Sequence, residues 1–76
     1  MGVNGKLDDM ELRARLEYTR LRSGRKKEDM ADALGIHINT YYKKERKPSS
    51  FKLGELVALR DSLGLGTIDD IFFSIN

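Results

Sequence analysis

"SGRKKEDMADALGIHINTYYKKE", residues 23–45, is the stretch on which the fold turns, and two glycines divide it. Between Gly24 and Gly35, Met30, Ala31 and Leu34 form an apolar stripe at helical spacing. Glu28 and Asp29 fall in the first turn of that helix, where its dipole favours acids, and Gly35 follows its end. Only about two turns fit. After Gly35 the chain must swing away within one or two residues, and His37 or Asn39 can begin the next helix. Apolar and aromatic residues at 36, 38, 41 and 42 have no period of two, so a strand is a poor fit. A helix with Tyr41 inward and Ile38, Asn39, Tyr42 and Lys43 outward fits better.

Upstream, Asp8 or Asp9 can cap a helix of about four turns that stops at Ser23-Gly24, with Leu12, Leu16, Thr19 and Ser23 on one face. Downstream, Pro48-Ser49-Ser50 marks a loop. Leu53, Leu56, Val57, Arg60 and Leu63 then recur at helical spacing until Gly64. "TIDDIFF" offers Thr67 as a cap, Asp69 and Asp70 in a first turn, and Ile68, Ile71 and Phe72 for burial. The expected fold is all-α, a compact bundle of about five short helices. Residues 1–8 are read as a flexible N-terminus and residues 9–76 as one domain.

With 76 residues and no cysteine, the chain has room for one small core and no disulfide or thiolate metal site. No apolar run approaches the ~18 to 20 residues that span a bilayer, and residues 1–12 have no apolar signal-peptide region, so a soluble cytoplasmic protein is expected. Net charge is only +2, but it is segregated. Residues 20–47 carry nine basic and four acidic side chains, against three and four before them and two and four after. A contiguous basic third points to an acidic partner more than a scattered solvated face would. One histidine without cysteine or a nearby carboxylate pair builds neither a zinc site nor a triad, so no metal, cofactor or enzymatic activity is expected.

Residues 23–45 resemble the helix-turn-helix of the lambda-repressor and Cro-type superfamily, also called XRE. The matching features are Gly24, the Glu28 to Leu34 body, Gly35-Ile36 in the turn, Glu45 at the end of the second helix of the motif, and a closing "IDDIF"; together they span roughly residues 12–73. The resemblance implies a double-stranded DNA-binding regulator, of phage or bacterial repressor type, acting at an operator as a homodimer and associated with the nucleoid. It implies that Arg20 pairs with Glu45, that Lys27 touches a phosphate, and that Ile38, Asn39 and Lys43 fall on base-reading positions flanked by Thr40 and Tyr42. Arg46 and Lys47 fall in a loop that meets the DNA backbone. The chain departs from the family at Arg25, where a buried leucine is usual, at Lys26, where a capping residue is usual, at Lys44, usually apolar, and in "RKPSSFK", which lacks the usual glycine.

The chemistry of these residues is compatible with those roles. Asn39 can bond adenine N6 and N7, Lys43 can donate to guanine O6 or N7, and Ile38 can cover a thymine methyl. Asn39 could equally serve as a cap and Ile38 as a staple of the turn. Lys26, Lys27, Tyr42, Arg46 and Lys47 are the phosphate-contacting candidates. Phe72, Phe73, Ile75 and Leu65 are more apolar residues than one short helix can bury, which nominates Phe73 and Ile75 as the dimer contact. The competing reading is a protein-interaction module, an antitoxin or antirepressor-like adaptor, that keeps the fold and uses such an apolar patch. No membrane or small-molecule partner is expected.

Overall fold

A computed structural model describes residues 8–73 of the chain. Asp8 is an N-cap rather than part of a loose terminus: its carboxylate accepts from the Glu11 N–H at 2.9 Å and starts α1, Asp9–Arg22. The remainder of the N-terminal segment, residues 1–7, lies outside the described residues. There follow α2, Lys27–Leu34; α3, Ile38–Arg46; α4, Leu53–Leu63; and α5, Asp69–Phe73. A 3₁₀ turn at Pro48–Ser50 separates α3 from α4, and no strand occurs among the described residues. The bundle is all-helical and compact, as the periodicity requires.

Helix ends follow from local chemistry. After α1 and after α2 the chain passes through glycines with φ of 72° at Gly24 and 68° at Gly35. Each lets the following N–H fold back onto a carbonyl five residues earlier, Arg25 onto Arg20 and Ile36 onto Ala31, both at 3.1 Å. A side chain at either position would strain that left-handed backbone. Before α5, Thr67 and Asp70 cap each other reciprocally: each side-chain oxygen accepts from the other residue's N–H at 3.2 Å.

The core consists of Leu16, Met30, Ala31, Tyr41, Phe51, Leu59, Leu63 and Ile71, one or two from each α-helix together with Phe51 from the link before α4. Burying a side chain of this size stabilises by about 1.5 to 3 kcal/mol. The face of α4 differs from the sequence expectation: Leu56, Leu59 and Leu63 turn inward, and Leu53 is 71% exposed. At about 100° per residue, Leu53 lies roughly a quarter-turn from the mean direction of Leu59 and Leu63. Ser23 also leaves the inward face of α1, because the helix ends at Arg22 and the Ser23 hydroxyl donates back to the Thr19 carbonyl. Leu65 packs half-buried on the core and is not surplus surface.

The Pro48–Ser50 turn does without the glycine that the family resemblance leads one to expect. Pro48 is buried, its fixed φ suits the first position of a helical turn, and Asp9 at the start of α1 holds the next residue. The Asp9 carboxylate accepts from both the N–H and the hydroxyl of Ser49, at 2.9 and 3.0 Å. Phe51 then drops into the core with its ring centroid 6.2 Å from that of Tyr41.

Candidate nucleic-acid interface

α2 and α3 are the elements whose placement matters for any acidic partner. The N-cap of α2 is Lys26, whose N–H donates to Asp29 Oδ2 at 2.9 Å. This is half of a capping box, since a lysine ammonium has no lone pair with which to return the bond. Residues 35–37 then carry the chain into α3, where His37 is the cap: its Nδ1 accepts from the Asn39 N–H at 3.1 Å. That settles which of the two residues caps. It leaves the Asn39 side chain exposed and without a hydrogen-bond partner among the described residues.

α3 is tied to α1 through Glu45, which is 4% exposed. Its Oε2 accepts from Arg20 Nε at 2.9 Å and from the Tyr41 hydroxyl at 2.9 Å. Arg20 also donates through Nη1 to the Arg25 carbonyl at 3.1 Å, so one guanidinium fixes both the last turn of α3 and the approach to α2. The pair is buried on both sides, unlike two unrelated surface charges. Burial, and then the neighbouring Glu45 carboxylate, push the Tyr41 hydroxyl well above its ordinary pKa. Arg25 itself is exposed.

Some of the basic third is spent internally. Arg20 is committed to Glu45, and Lys44 is half-buried with its ammonium 3.2 Å from Glu55 of α4. Lys44 can therefore replace an apolar residue, because its stem lies along the core edge and its charge is met. The Lys52 N–H bond, helped by the Lys44 ammonium, holds the Glu55 carboxyl below its usual range. Arg22, Arg25, Lys26, Lys43, Arg46 and Lys47 remain exposed with no ion pair among the described residues.

Lys27 is intermediate. Its ammonium sits 3.7 Å from Glu45 Oε1 and 5.1 Å from the centroid of the Tyr42 ring, while its side chain stays 40% exposed. Lys27, Tyr42 and Arg46 line one open cleft of about 230 Å³, together with Glu45 and with Arg13 and Glu17 of α1. Arg13 and Glu17 were not expected from the sequence. Their signal is their spacing from Arg20: 13, 17 and 20 follow i, i+4, i+7 and share one side of α1.

Among the base-reading candidates, Asn39 and Lys43 are exposed on the outward side of α3. Ile38 is a correction to the expected orientation, for it packs half-buried against the core beside the turn. Lys26 and Lys47 flank the surface, as residues bracketing α2 and α3. Of the two dimer-contact candidates, Ile75 lies outside the described residues. Phe73 is 56% exposed, with the Arg15 guanidinium carbon 5.5 Å from its ring centroid. Ile71 is the buried residue of α5, and Phe72 is half-buried against the core. α1 presents Met10, Tyr18 and Leu21 on its outer side, a patch the sequence reading did not single out. Among the described residues there is no cluster of three His, Asp or Glu placed to hold a metal ion, and no helix long and apolar enough to cross a membrane. No family model, curated protein or solved structure matches this chain.

Proposed function

We propose that this chain is a sequence-specific binder of double-stranded DNA that regulates transcription from an operator, with α2 and α3 as a helix-turn-helix of the lambda-repressor and Cro type. The observation that carries the reading is the set of exposed cations without an ion pair among the described residues at the two ends of this helix pair, Arg25 and Lys26 before α2, Lys43 and Arg46 on α3 and Lys47 just after it. α3 enters the major groove, Asn39 and Lys43 reach base edges, and Ile38 bridges the core and the thymine side of the groove. Lys26, Lys27, Tyr42, Arg46 and Lys47 hold the flanking phosphates. The working unit on DNA is a homodimer, because two or three base contacts from one module discriminate weakly and two half-sites double them.

The test is selection of bound sequences from random duplexes, followed by affinity measured against salt. An enriched motif with two similar half-sites about one DNA turn apart is expected. With ~6 phosphate contacts in a dimer, log affinity should fall with log salt at a slope near −5. Affinity that stays flat from low to physiological salt removes DNA as the ligand.

A further inference from the structure

The cleft between α1 and α3 brings three cationic side chains from three helices to one opening: Arg13 from α1, Lys27 from the first turn of α2 and Arg46 from the end of α3. Two carboxylates also line it, Glu17 and Glu45. Their weights differ. Glu45 is buried and already bonded to Arg20 Nε and the Tyr41 hydroxyl, so its charge is largely met before any ligand arrives. Glu17 is exposed and makes no ion pair among the described residues. With Arg20 counted against Glu45, the lining leaves three cations facing one solvated carboxylate. Lys27 is held only loosely, 3.7 Å from Glu45 with Tyr42 beneath its ammonium, and a side chain so exposed can swing towards an anion without uncovering Glu45 to an empty core. The exposed Tyr42 lies beside it on the same lining and carries a hydroxyl that can donate to a phosphate oxygen.

We propose that this cleft is a receptor for one phosphate group, bound by Arg13 and Arg46 as guanidinium donors, Lys27 as a point charge and Tyr42 through its hydroxyl. An opening of about 230 Å³ accommodates a phosphate with part of its hydration. Guanidinium groups match tetrahedral oxyanions through paired N–H donors, and Glu17 sets a limit on affinity so that the site exchanges readily. The inference adds Arg13 to the DNA-facing groups. It rests on the DNA reading for the source of the phosphate, a backbone diester, whereas the chemistry alone would also take a free phosphate-bearing molecule.

Two charge variants of opposite sign test it, Arg13→Ala and Glu17→Gln, each checked for unchanged helicity, with inorganic phosphate and a short duplex of arbitrary sequence as probes. Nuclear magnetic resonance follows the Arg13 and Arg46 Nε–H and the Tyr42 ring signals at constant ionic strength. Saturable shifts with inorganic phosphate, smaller affinity in Arg13→Ala and larger affinity in Glu17→Gln are expected. On the duplex, Arg13→Ala should weaken binding several-fold and make the salt slope shallower by about 1 for each bound protomer. A charge-order response to the duplex alone supports the site and assigns it to the DNA backbone. A response to inorganic phosphate by a wild type that ignores the duplex supports the site for a free phosphate-bearing molecule and removes the DNA reading. If wild type binds the duplex and both variants titrate like it with either probe, the cleft is not a phosphate site, and the DNA reading stands without it.

Discussion

Glu45 shows how much one residue decides. Its carboxylate is buried, and its stability depends on Arg20 and Tyr41. Arg20→Met is expected to destabilise the fold by about 3 kcal/mol, because it strands a buried charge, and denaturant melts measure it. Tyr41 adds a pH limit. Its folded hydroxyl resists ionisation, so above the ordinary tyrosine range the folded state binds more protons than the unfolded one and stability falls as pH rises. Wild type should lose stability beyond about pH 10, and Tyr41→Phe should remove part of that alkaline loss. On the proposed reading surface the residues separate by type. Asn39→Ala is expected to cost about 1 to 3 kcal/mol on the selected site and little on random duplex, whereas Lys27→Ala weakens both alike. Selected sites that do not change with Asn39→Ala would place another residue on the base edge.

At the scale of the element, α2 is the helix whose start is least complete, since Lys26 contributes an N–H and no acceptor. Lys26→Ser should stabilise the fold by about 0.5 to 1 kcal/mol, seen as a higher denaturant midpoint, while weakening duplex binding through the lost charge. A lower midpoint would mean that the lysine stem contributes packing that exceeds the cap. The existence and order of the five helices were legible from the chain, and the ends of α1, α2 and α4 were marked by local signals: acids in first turns and glycines after last turns. The cap of α3 was legible only as a choice between His37 and Asn39, as either side chain can accept. The face of α4 was misread at Leu53 because that helix is apolar on several sides and periodicity alone cannot say where the core ends. The Asp9 to Ser49 contact had no sequence signal, for it joins residues 40 apart through ordinary polar side chains.

For the whole molecule, the basic third was visible as charge and the Arg20 to Glu45 pair was expected from the resemblance, but the commitment of Lys44 to Glu55 of α4 was not, because that partner lies outside the segment. The cleft was invisible for the same reason, since Arg13 and Glu17 lie outside the basic segment. Self-association is the property left to the surface. Phe73 is exposed beside Arg15, and if it forms the contact between two copies, Phe73→Asp should give a folded, helical monomer that keeps weak non-specific DNA binding and loses cooperative operator binding. Sedimentation of wild type as a monomer both free and on its operator would remove that contact. A variant that unfolds would instead assign Phe73 a structural role.

The closure of α1 by α5 sets an order in time. The Thr19 hydroxyl lies 2.8 Å from the Ile71 carbonyl, 52 positions along the chain, and Arg15 Nη1 donates to the Phe72 carbonyl at 3.1 Å. During synthesis at about 5 to 20 residues per second, α1 therefore waits roughly 3 to 10 s for the element that completes it. α2 and α3, joined by three residues, can find each other almost as soon as both have emerged. The first of these helices to be made is thus completed by the last: α3 and the Pro48–Ser50 turn hold it through Glu45 on Arg20 and Asp9 on Ser49, and its final contacts wait for Ile71 and Phe72.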